Sequence, residues 1–201
     1  MRLSTGSKEI NELTKGYKIN ELNLIYGEPA TGKTTLALLA SITQAKHNKK
    51  VIYIDTENGF NLQRITQLYP EINNIIDNII VLKPKNFEEQ EKFILNLPKN
   101  NIALIIIDTL GNFYRLKLQE DQYQANKSID NQLKYLKHLQ IPTIIINQVY
   151  SRMDGTVNCV GGDMIRNLCK NQILLKKDPR TLHYNKQFLK FKITNEGIEK
   201  D

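Results

Sequence analysis

The sequence contains little cysteine, and its two cysteines, Cys159 and Cys169, lie outside any CxxC pair. Two cysteines cannot supply the cross-links of a disulfide-stabilised scaffold or the ligands of a cysteine-based zinc ribbon. Long apolar runs are also absent, because the longest, Ile102–Ile107, is far shorter than the roughly 20 residues that cross a bilayer. No apolar stretch follows the charge at the amino terminus, so we see no secretory signal. We expect a cytoplasmic protein with reduced thiols and no membrane contact.

The composition is that of a folded protein with a moderate excess of positive charge. The 201 residues include 28 Lys and Arg and 21 Asp and Glu, for a net charge of +7, and 40% are hydrophobic. This length and hydrophobic share predict one domain over residues 1–201, with a core large enough to need no cross-links. The positive charge is compatible with an anionic partner but does not identify one.

Short apolar runs alternate with amphipathic stretches along the chain. The runs predict buried strands over Leu22–Tyr26, Val51–Asp55, Ile79–Leu82, Leu104–Asp108 and Thr143–Asn147. The stretches predict helices over Lys33–His47, Asn61–Leu68, Phe87–Asn96 and Gln122–Leu139. This alternation indicates an α/β fold with a mostly parallel central sheet flanked by helices. Two more polar runs, Gln172–Lys176 and Gln187–Ile193, predict a small antiparallel extension near the carboxyl end.

The segment GEPATGKT, from Gly27 to Thr34, matches the phosphate-binding P-loop pattern GxxxxGK[ST]. It lies between a predicted strand and a predicted helix, as the pattern requires. Gly27 and Gly32 allow the backbone N–H groups to wrap a phosphate, and the helix adds its N-terminal dipole. Lys33 then acts on the β- and γ-phosphates, and the Thr34 hydroxyl binds Mg²⁺. The predicted nucleotide-binding residues are Gly27, Glu28, Pro29, Ala30, Thr31, Gly32, Lys33, Thr34 and Thr35.

Polar residues follow three other predicted strands, where open α/β sheets bind their ligands. Asp108 ends an apolar strand and is the expected Mg²⁺ partner of Thr34. Glu57 follows the second strand and is our candidate general base, while Asp55 is expected to bond backbone at the strand end. Gln148 ends the fifth strand and is a candidate γ-phosphate sensor. The alternatives are a solvated loop acid for Glu57 and an amide that satisfies local backbone for Gln148.

Five segments carry a family resemblance through their order: GEPATGKTT, YIDTENGF, IIIDTLGNFYR, IINQV and GGDMIRNLCK. In this order they resemble the core of the RecA/RadA recombinases, and the length is most similar to the short archaeal RadB branch. The resemblance covers nearly the whole chain. It implies a RecA-like P-loop NTPase core with ATP and Mg²⁺ as cofactors, and Glu57, Lys33 and Gln148 as catalytic residues. It further implies that Arg64 packs on adenine, the alternative being an exposed helix charge.

The chain departs from full recombinases in ways that bear on its role. We expect no N-terminal helix-hairpin-helix domain, and no Phe has Ala three residues later, so the FxxA segment that joins subunits is missing. The resemblance therefore implies an accessory factor of homologous recombination and DNA repair, with weak ATPase activity. It implies DNA, a RadA-type recombinase and a Holliday junction resolvase as partners.

The two DNA loops of the family correspond here to the segment around Tyr114–Gln124 and to Tyr150–Gly162. Aromatic and basic side chains in these loops suit stacking on bases and neutralising phosphates. Arg166 and Lys170 are expected one turn apart on a helix after Gly161 and Gly162. The candidate DNA-binding residues are Tyr114, Arg115, Lys117, Tyr150, Arg152, Arg166 and Lys170. The expected substrate is single-stranded DNA, with branched DNA as an extension. The alternative is ordinary solvated loops, because acidic residues lie there too.

Two other functional classes fit a chain with one P-loop. A small-molecule or nucleoside kinase requires an Arg-rich lid over the transferred phosphoryl group, and no Arg cluster marks one here. A non-hydrolysing scaffold would bind nucleotide only for stability. Phosphotransfer assays test the first class, and ATP turnover with and without single-stranded DNA tests the second.

Overall fold

A computed structural model describes residues 2–151 and 157–201, and it describes side chains outside 150–158. The helices are α1 (Lys8–Thr14), α2 (Lys33–Lys46), α3 (Leu62–Leu68), α4 (Phe87–Leu95), α5 (Gly111–Glu120), α6 (Gln122–Leu139) and α7 (Gly162–Leu168). The strands are β1 (Arg2–Leu3), β2 (Tyr17–Lys18), β3 (Leu22–Gly27), β4 (Lys50–Asp55), β5 (Ile79–Leu82), β6 (Ile102–Asp108), β7 (Thr143–Ser151), β8 (Val157–Cys159), β9 (Asn171–Lys176), β10 (Thr181–Tyr184), β11 (Gln187–Thr194) and β12 (Gly197–Lys200).

One large sheet organises the chain, with strand order β5-β4-β6-β7-β3-β9-β10-β11-β12. Strands β5, β4, β6, β7, β3 and β9 are parallel to one another. Strands β9, β10, β11 and β12 pair antiparallel in that order. Strand β8 pairs antiparallel with β7, and β1 with β2 forms a separate ribbon. The expected α/β fold, with a mostly parallel sheet and a C-terminal antiparallel extension, is confirmed.

Burial on both faces explains why the central strands are apolar at consecutive positions. In β6 the residues Leu104 to Asp108 are all at most 2% exposed. Because side chains alternate across a strand, Leu104 and Ile106 pack with α2, whereas Ile105 and Ile107 pack with α6. The sheet is therefore the middle layer of a three-layer structure, as the βαβ pattern predicts.

The carboxyl ends of the parallel strands bring the predicted site residues to one edge of the sheet. Gly27 at the end of β3 is paired with Gln148 on β7, and Asp55 at the end of β4 is paired with Asp108 at the end of β6. Helix α2 begins directly above this edge, with Gly32 as its N-cap in a left-handed conformation.

Two expectations for the DNA segments are wrong. The segment around Tyr114–Gln124 is not a loop, because α5 spans most of it and α6 begins at Gln122. The Tyr114 ring packs near Phe87 in the core, and this contact anchors α5. Arg166 and Lys170 do not share a helix either, since α7 ends at Leu168 and the chain then turns into β9.

In the described part of the chain, no helix combines the length and the apolarity that crossing a membrane requires.

A buried amide network joins the parallel strands to the antiparallel extension. Asn23 on β3 is 1% exposed, and its Nδ2 donates to the carbonyl oxygen of Thr143 on β7 at 3.0 Å. Its Oδ1 accepts from Asn171 Nδ2 on β9 at 2.7 Å, and Asn171 Oδ1 accepts from the Tyr184 hydroxyl on β10 at 3.0 Å. The network satisfies polar groups on four strands, so losing one member leaves several of them unpaired.

Replacing Asn23 with Ala should lower the free energy of unfolding by about 2–4 kcal/mol, because the buried Thr143 carbonyl on β7 loses a donor and the buried Asn171 amide on β9 loses its acceptor. Urea denaturation followed by circular dichroism measures this change. The matched control is Asn73→Ala, at an exposed position in the turn Ile72–Asn74, which should cost less than about 0.5 kcal/mol. Equal losses in the two variants would contradict the structural role of Asn23.

Candidate active site

A cavity of about 310 Å³ lies at the carboxyl ends of β3, β4, β6 and β7. Residues from five separate parts of the sequence line it, and most belong to the predicted nucleotide site. They are Pro29, Ala30, Gly32, Lys33, Thr34, Thr35, Glu57, Asp108, Thr109, Gln148 and Ile193. The structure thus brings the P-loop, Asp108, Glu57 and Gln148 together, as the sequence predicts.

The two glycines of the P-loop are required for different reasons. Gly32 has φ +106°, a conformation that residues with a side chain rarely adopt, and a Cβ there would lie 2.7 Å from Ile193 Cδ1. Gly27 ends β3 so close to β9 that a Cβ would overlap the Leu175 carbonyl oxygen. With no side-chain cap at Gly32, the first N–H groups of α2 remain available to a phosphate.

Lys33 places its ammonium group inside the loop. Its Nζ donates to the carbonyl oxygens of Gly27 at 2.8 Å and Glu28 at 2.6 Å, and the residue is 7% exposed. Burial lowers the pKa of Lys33, and the nearby charges of Asp108, Glu57 and Glu28 oppose that effect. Among the described residues only these two carbonyl oxygens accept from Nζ, so a bound phosphate would give the buried cation a full counter-charge.

Asp108 and Thr34 form the candidate metal site. The Thr34 hydroxyl donates to Asp108 Oδ2 at 2.8 Å, and Asp108 is 2% exposed. The pKa of Asp108 is raised to about 6, mainly by burial and also by the charges of Glu57 and Asp55, although hydroxyl hydrogen bonds from Tyr53 and Thr34 lower it. Hydroxyl and carboxylate oxygens are ligands that Mg²⁺ prefers, and a cation would offset this crowding of acids. The residues therefore fit the expected metal.

Glu57 lies at the mouth of the cavity with two donors on one oxygen. Gln148 Nε2 donates to Glu57 Oε1 at 2.7 Å, and the Thr109 hydroxyl donates to the same atom at 3.0 Å. Among the described residues, Oε2 accepts no hydrogen bond. The carboxylate is therefore oriented by one oxygen while the other stays available to a water molecule.

The loop that carries Glu57 is held from both ends. Asp55 Oδ1 accepts from the Gly59 N–H at 2.9 Å and Oδ2 from the Phe60 N–H at 3.1 Å, which confirms its predicted structural role. Thr56 exchanges two hydrogen bonds with Thr109, through its hydroxyl to the Thr109 carbonyl and from the Thr109 N–H. These contacts fix the position of Glu57 relative to β6.

Arg64 lies beside the cavity, but its guanidinium group contacts backbone. Nη2 donates to the Thr194 carbonyl at 2.8 Å, and Nη1 donates to the Asn195 carbonyl at 3.3 Å and to Gln67 Oε1 at 3.0 Å. The turn that it holds follows Ile193, which lines the cavity. Its expected packing on adenine stays a prediction.

Tyr114 is not available for stacking on a base. It is 2% exposed, and its hydroxyl donates to Asn126 Oδ1 at 2.6 Å, so the expectation that it contacts DNA is wrong. Lys117 is paired with Glu88 at 2.9 Å and with Glu120 at 3.1 Å, and these pairs compete with a phosphate for its charge.

The remaining DNA candidates are only partly described. Arg115 and Lys170 are exposed, and Arg166 is half-buried. Arg152 lies outside the described residues, as does the side chain of Tyr150. A DNA role for these residues stays a prediction.

Sequence reasoning missed three residues of the site. Thr109 donates to Glu57, Tyr53 donates to Asp108, and Ile193 lines the cavity. Tyr53 has a detectable signal, because it lies two residues before Asp55 and must face the same side of the sheet. Thr109 directly follows Asp108 and could have been considered for that reason. Ile193 carries no such signal, since only the pairing of the C-terminal strands brings it close.

Comparison with known proteins agrees with this geometry. The Rad51 family model matches residues 1–186. The "DNA repair and recombination protein RadB" of Methanocaldococcus jannaschii is 34% identical, over 87% of this chain and 91% of that protein. Its namesake from Methanoculleus marisnigri is 33% identical, over 88% and 84%. A solved structure described as "Crystal structure of the RadB recombinase" superposes with a TM-score of 0.81 at 31% identity, covering 99% of both chains. This likeness confirms the RecA-like core.

Replacing Thr109 with Val should lower ATP turnover about tenfold, because Glu57 loses one of its two orienting donors while the side-chain shape is kept. ATP affinity should stay within about twofold, since Glu57 is the one acceptor of the Thr109 hydroxyl among the residues that the structure describes, and the carbonyl contacts of Lys33 are untouched. Steady-state phosphate release and equilibrium nucleotide binding separate the two effects. Thr109→Ser keeps the hydroxyl and should restore turnover. A Ser variant as slow as the Val variant would show that the hydroxyl is not responsible.

Proposed function

The chain belongs to the Rad51 family, in its RadB-type branch of DNA repair and recombination proteins, and on that premise we propose an ATP-dependent, DNA-binding accessory factor of homologous recombination with weak ATPase activity. The observation that carries the proposal is the 2.7 Å contact between Gln148 Nε2 and Glu57 Oε1 at the mouth of the P-loop cavity. We propose one ATPase core over residues 1–201.

Gln148 links the cavity to the segment proposed to bind DNA. It lies on β7, which continues directly to Ser151 and so into the second candidate DNA segment. An amide that bonds Glu57 in one state can bond a γ-phosphate oxygen in another, because the same Nε2 is the donor in both. Exchange of that partner would shift the end of β7 and change the DNA-binding segment with the nucleotide state.

The residues around the cavity support slow hydrolysis. Lys33 would leave the Gly27 and Glu28 carbonyls to neutralise the phosphates, and Thr34 with Asp108 would hold Mg²⁺, which supplies charge neutralisation. Glu57 would accept the proton of the attacking water at Oε2, the oxygen that accepts no hydrogen bond among the described residues. Nothing in this set transfers a phosphoryl group to a second substrate.

The cavity supports a nucleotide switch better than a kinase. Among the described residues that line it, Lys33 is the only Lys or Arg, so the cation clamp that a transferred phosphoryl group needs is not found there. Glu57 and Gln148 line the part of the cavity where a kinase would place those cations. A phosphotransfer assay with nucleoside acceptors should therefore give no product beyond ADP and phosphate.

DNA is the proposed partner that the described residues support most directly. DNA comes first, single-stranded before branched, because the chain carries a net charge of +7 and the cations of Arg115 and Lys170 are exposed. A RadA-type recombinase and a Holliday junction resolvase follow from the family alone.

Glu57→Gln should bind ATP with Mg²⁺ as wild type does but hydrolyse it at least about 100-fold more slowly, since the amide cannot accept the proton of water. Lys33→Ala should abolish ATP binding, because the cation that faces the phosphates is gone. Equilibrium binding and phosphate release measure both. Equal turnover in E57Q and wild type would remove Glu57 from the role of base.

DNA binding should weaken as salt rises, and it should be tighter with a non-hydrolysable ATP analogue than with ADP. Neutralised phosphates release counterions, so the slope of log K against log salt counts the contacts. A salt titration with single-stranded DNA in each nucleotide state tests both expectations. Arg115→Ala should reduce the slope by about 1, whereas Lys117→Ala should not, because its charge is already paired. Salt-insensitive binding, or equal binding in both states, would contradict the proposal.

A further inference from the structure

Tyr53 carries a hydroxyl into the apolar core of β4. The residue is 0% exposed and its neighbours along the strand, Ile52 and Ile54, are apolar and buried. Its hydroxyl donates to Asp108 Oδ2 at 2.7 Å. The Tyr17 hydroxyl, equally buried, has no partner among the described residues, so burial alone does not provide one. The hydrogen bond from Tyr53 to Asp108 therefore depends on where β4 places the ring, and not on burial alone.

Strand register explains why the phenol reaches this carboxylate. Tyr53 is paired with Ile106 on β6, and Asp55 is paired with Asp108. Tyr53 and Ile106 pack in the same core layer as α2, and alternation places Asp108, two residues beyond Ile106, on that side as well. The ring thus points toward the start of α2, where Thr34 is located.

The ring itself has little freedom. Phe60 packs against it edge-to-face, with ring centroids 5.1 Å apart and planes at 68°. Phe60 is in turn fixed by its N–H, which donates to Asp55 Oδ2 at 3.1 Å. The Tyr53 hydroxyl is therefore presented to Asp108 by a ring that is packed on several sides.

Two hydroxyls converge on one oxygen of Asp108. Thr34 at 2.8 Å and Tyr53 at 2.7 Å both donate to Oδ2, which occupies the two acceptor directions of that atom. Among the described residues Oδ1 accepts no hydrogen bond, and Asp108 lines the cavity. One oxygen is thus held by protein donors and the other is left to the site.

We propose that Tyr53 is a positioning residue that fixes the Asp108 carboxylate for Mg²⁺. Its hydroxyl thereby determines the Mg²⁺ concentration at which the protein binds nucleotide. Tyr53 holds Oδ2 and does not itself bind the metal. A phenylalanine would fill the same core space, so the hydroxyl is the only group that this role needs. The inference rests on the proposed nucleotide site and adds a residue that the P-loop and Asp108 motifs do not include.

The test is a Mg²⁺ titration of nucleotide binding in Tyr53→Phe, followed by the fluorescence of ADP labelled on its ribose. The Mg²⁺ concentration at half-maximal binding should rise about tenfold or more, since the carboxylate loses a hydrogen bond to a charged group. Affinity measured in EDTA should change by less than about twofold. The matched control is Tyr69→Phe, which removes a hydroxyl bonded to Glu71 away from the cavity and should leave the Mg²⁺ midpoint unchanged.

A second variant separates the hydroxyl from packing. Phe60→Leu loosens the ring and keeps the Tyr53 hydroxyl, so it should raise the Mg²⁺ midpoint less than Tyr53→Phe does. Thermal unfolding of each variant without nucleotide ensures that the titrations use folded protein. If Tyr53→Phe does not fold, Phe60→Leu should still raise the Mg²⁺ midpoint above wild type, and a wild-type midpoint in it would overturn the inference. A wild-type midpoint in Tyr53→Phe, or an equal rise in both variants, would overturn the inference. Wild-type protein that binds no labelled ADP at any Mg²⁺ concentration would instead overturn the proposed function.

Discussion

The carboxylate of Asp108 joins the three elements from which the site is built. It ends β6, accepts from Thr34 in the first turn of α2, and accepts from Tyr53 on β4. Because a buried charge is costly without partners, these two hydroxyls stabilise the ionised form and at the same time fix how α2 sits on the sheet. Lys33 and Glu57 line the same cavity as Asp108.

Three acidic residues meet at this edge of the sheet, and each is satisfied differently. Asp55 accepts from backbone N–H groups and lies 3.7 Å from Lys83 Nζ. Glu57 is exposed and bonded to two side-chain donors. Asp108 is buried, and its donors within the described part of the chain are two hydroxyls. An arrangement that concentrates negative charge next to a P-loop favours a divalent cation, which is why the residues fit a metal-dependent nucleotide site.

Much of the fold follows from local signals, and the exceptions have physical causes. The apolar runs predict every parallel strand except β9, which was expected only in the antiparallel extension and pairs parallel with β3 on one side and antiparallel with β10 on the other. Helix α5 was missed because its apolar residues do not form one buried face: the Tyr114 ring is in the core, whereas Leu116 is 58% exposed. The contacts of Arg64 were not foreseeable, since the Thr194 and Asn195 carbonyls come from 130 residues further along the chain.

The sequence by itself determined the chemistry of the cavity: a P-loop, a carboxylate after an apolar strand, a second acid and an amide at strand ends. These signals are local, because strand ends in a parallel sheet meet at one edge wherever the chain between them runs. Only the tertiary structure decided which atoms share a hydrogen bond. That Tyr53 and Thr34 meet on one oxygen of Asp108, and that Gln148 and Thr109 meet on one oxygen of Glu57, depends on register between strands. Register is set by packing of whole faces against α2 and α6, and no short segment encodes it.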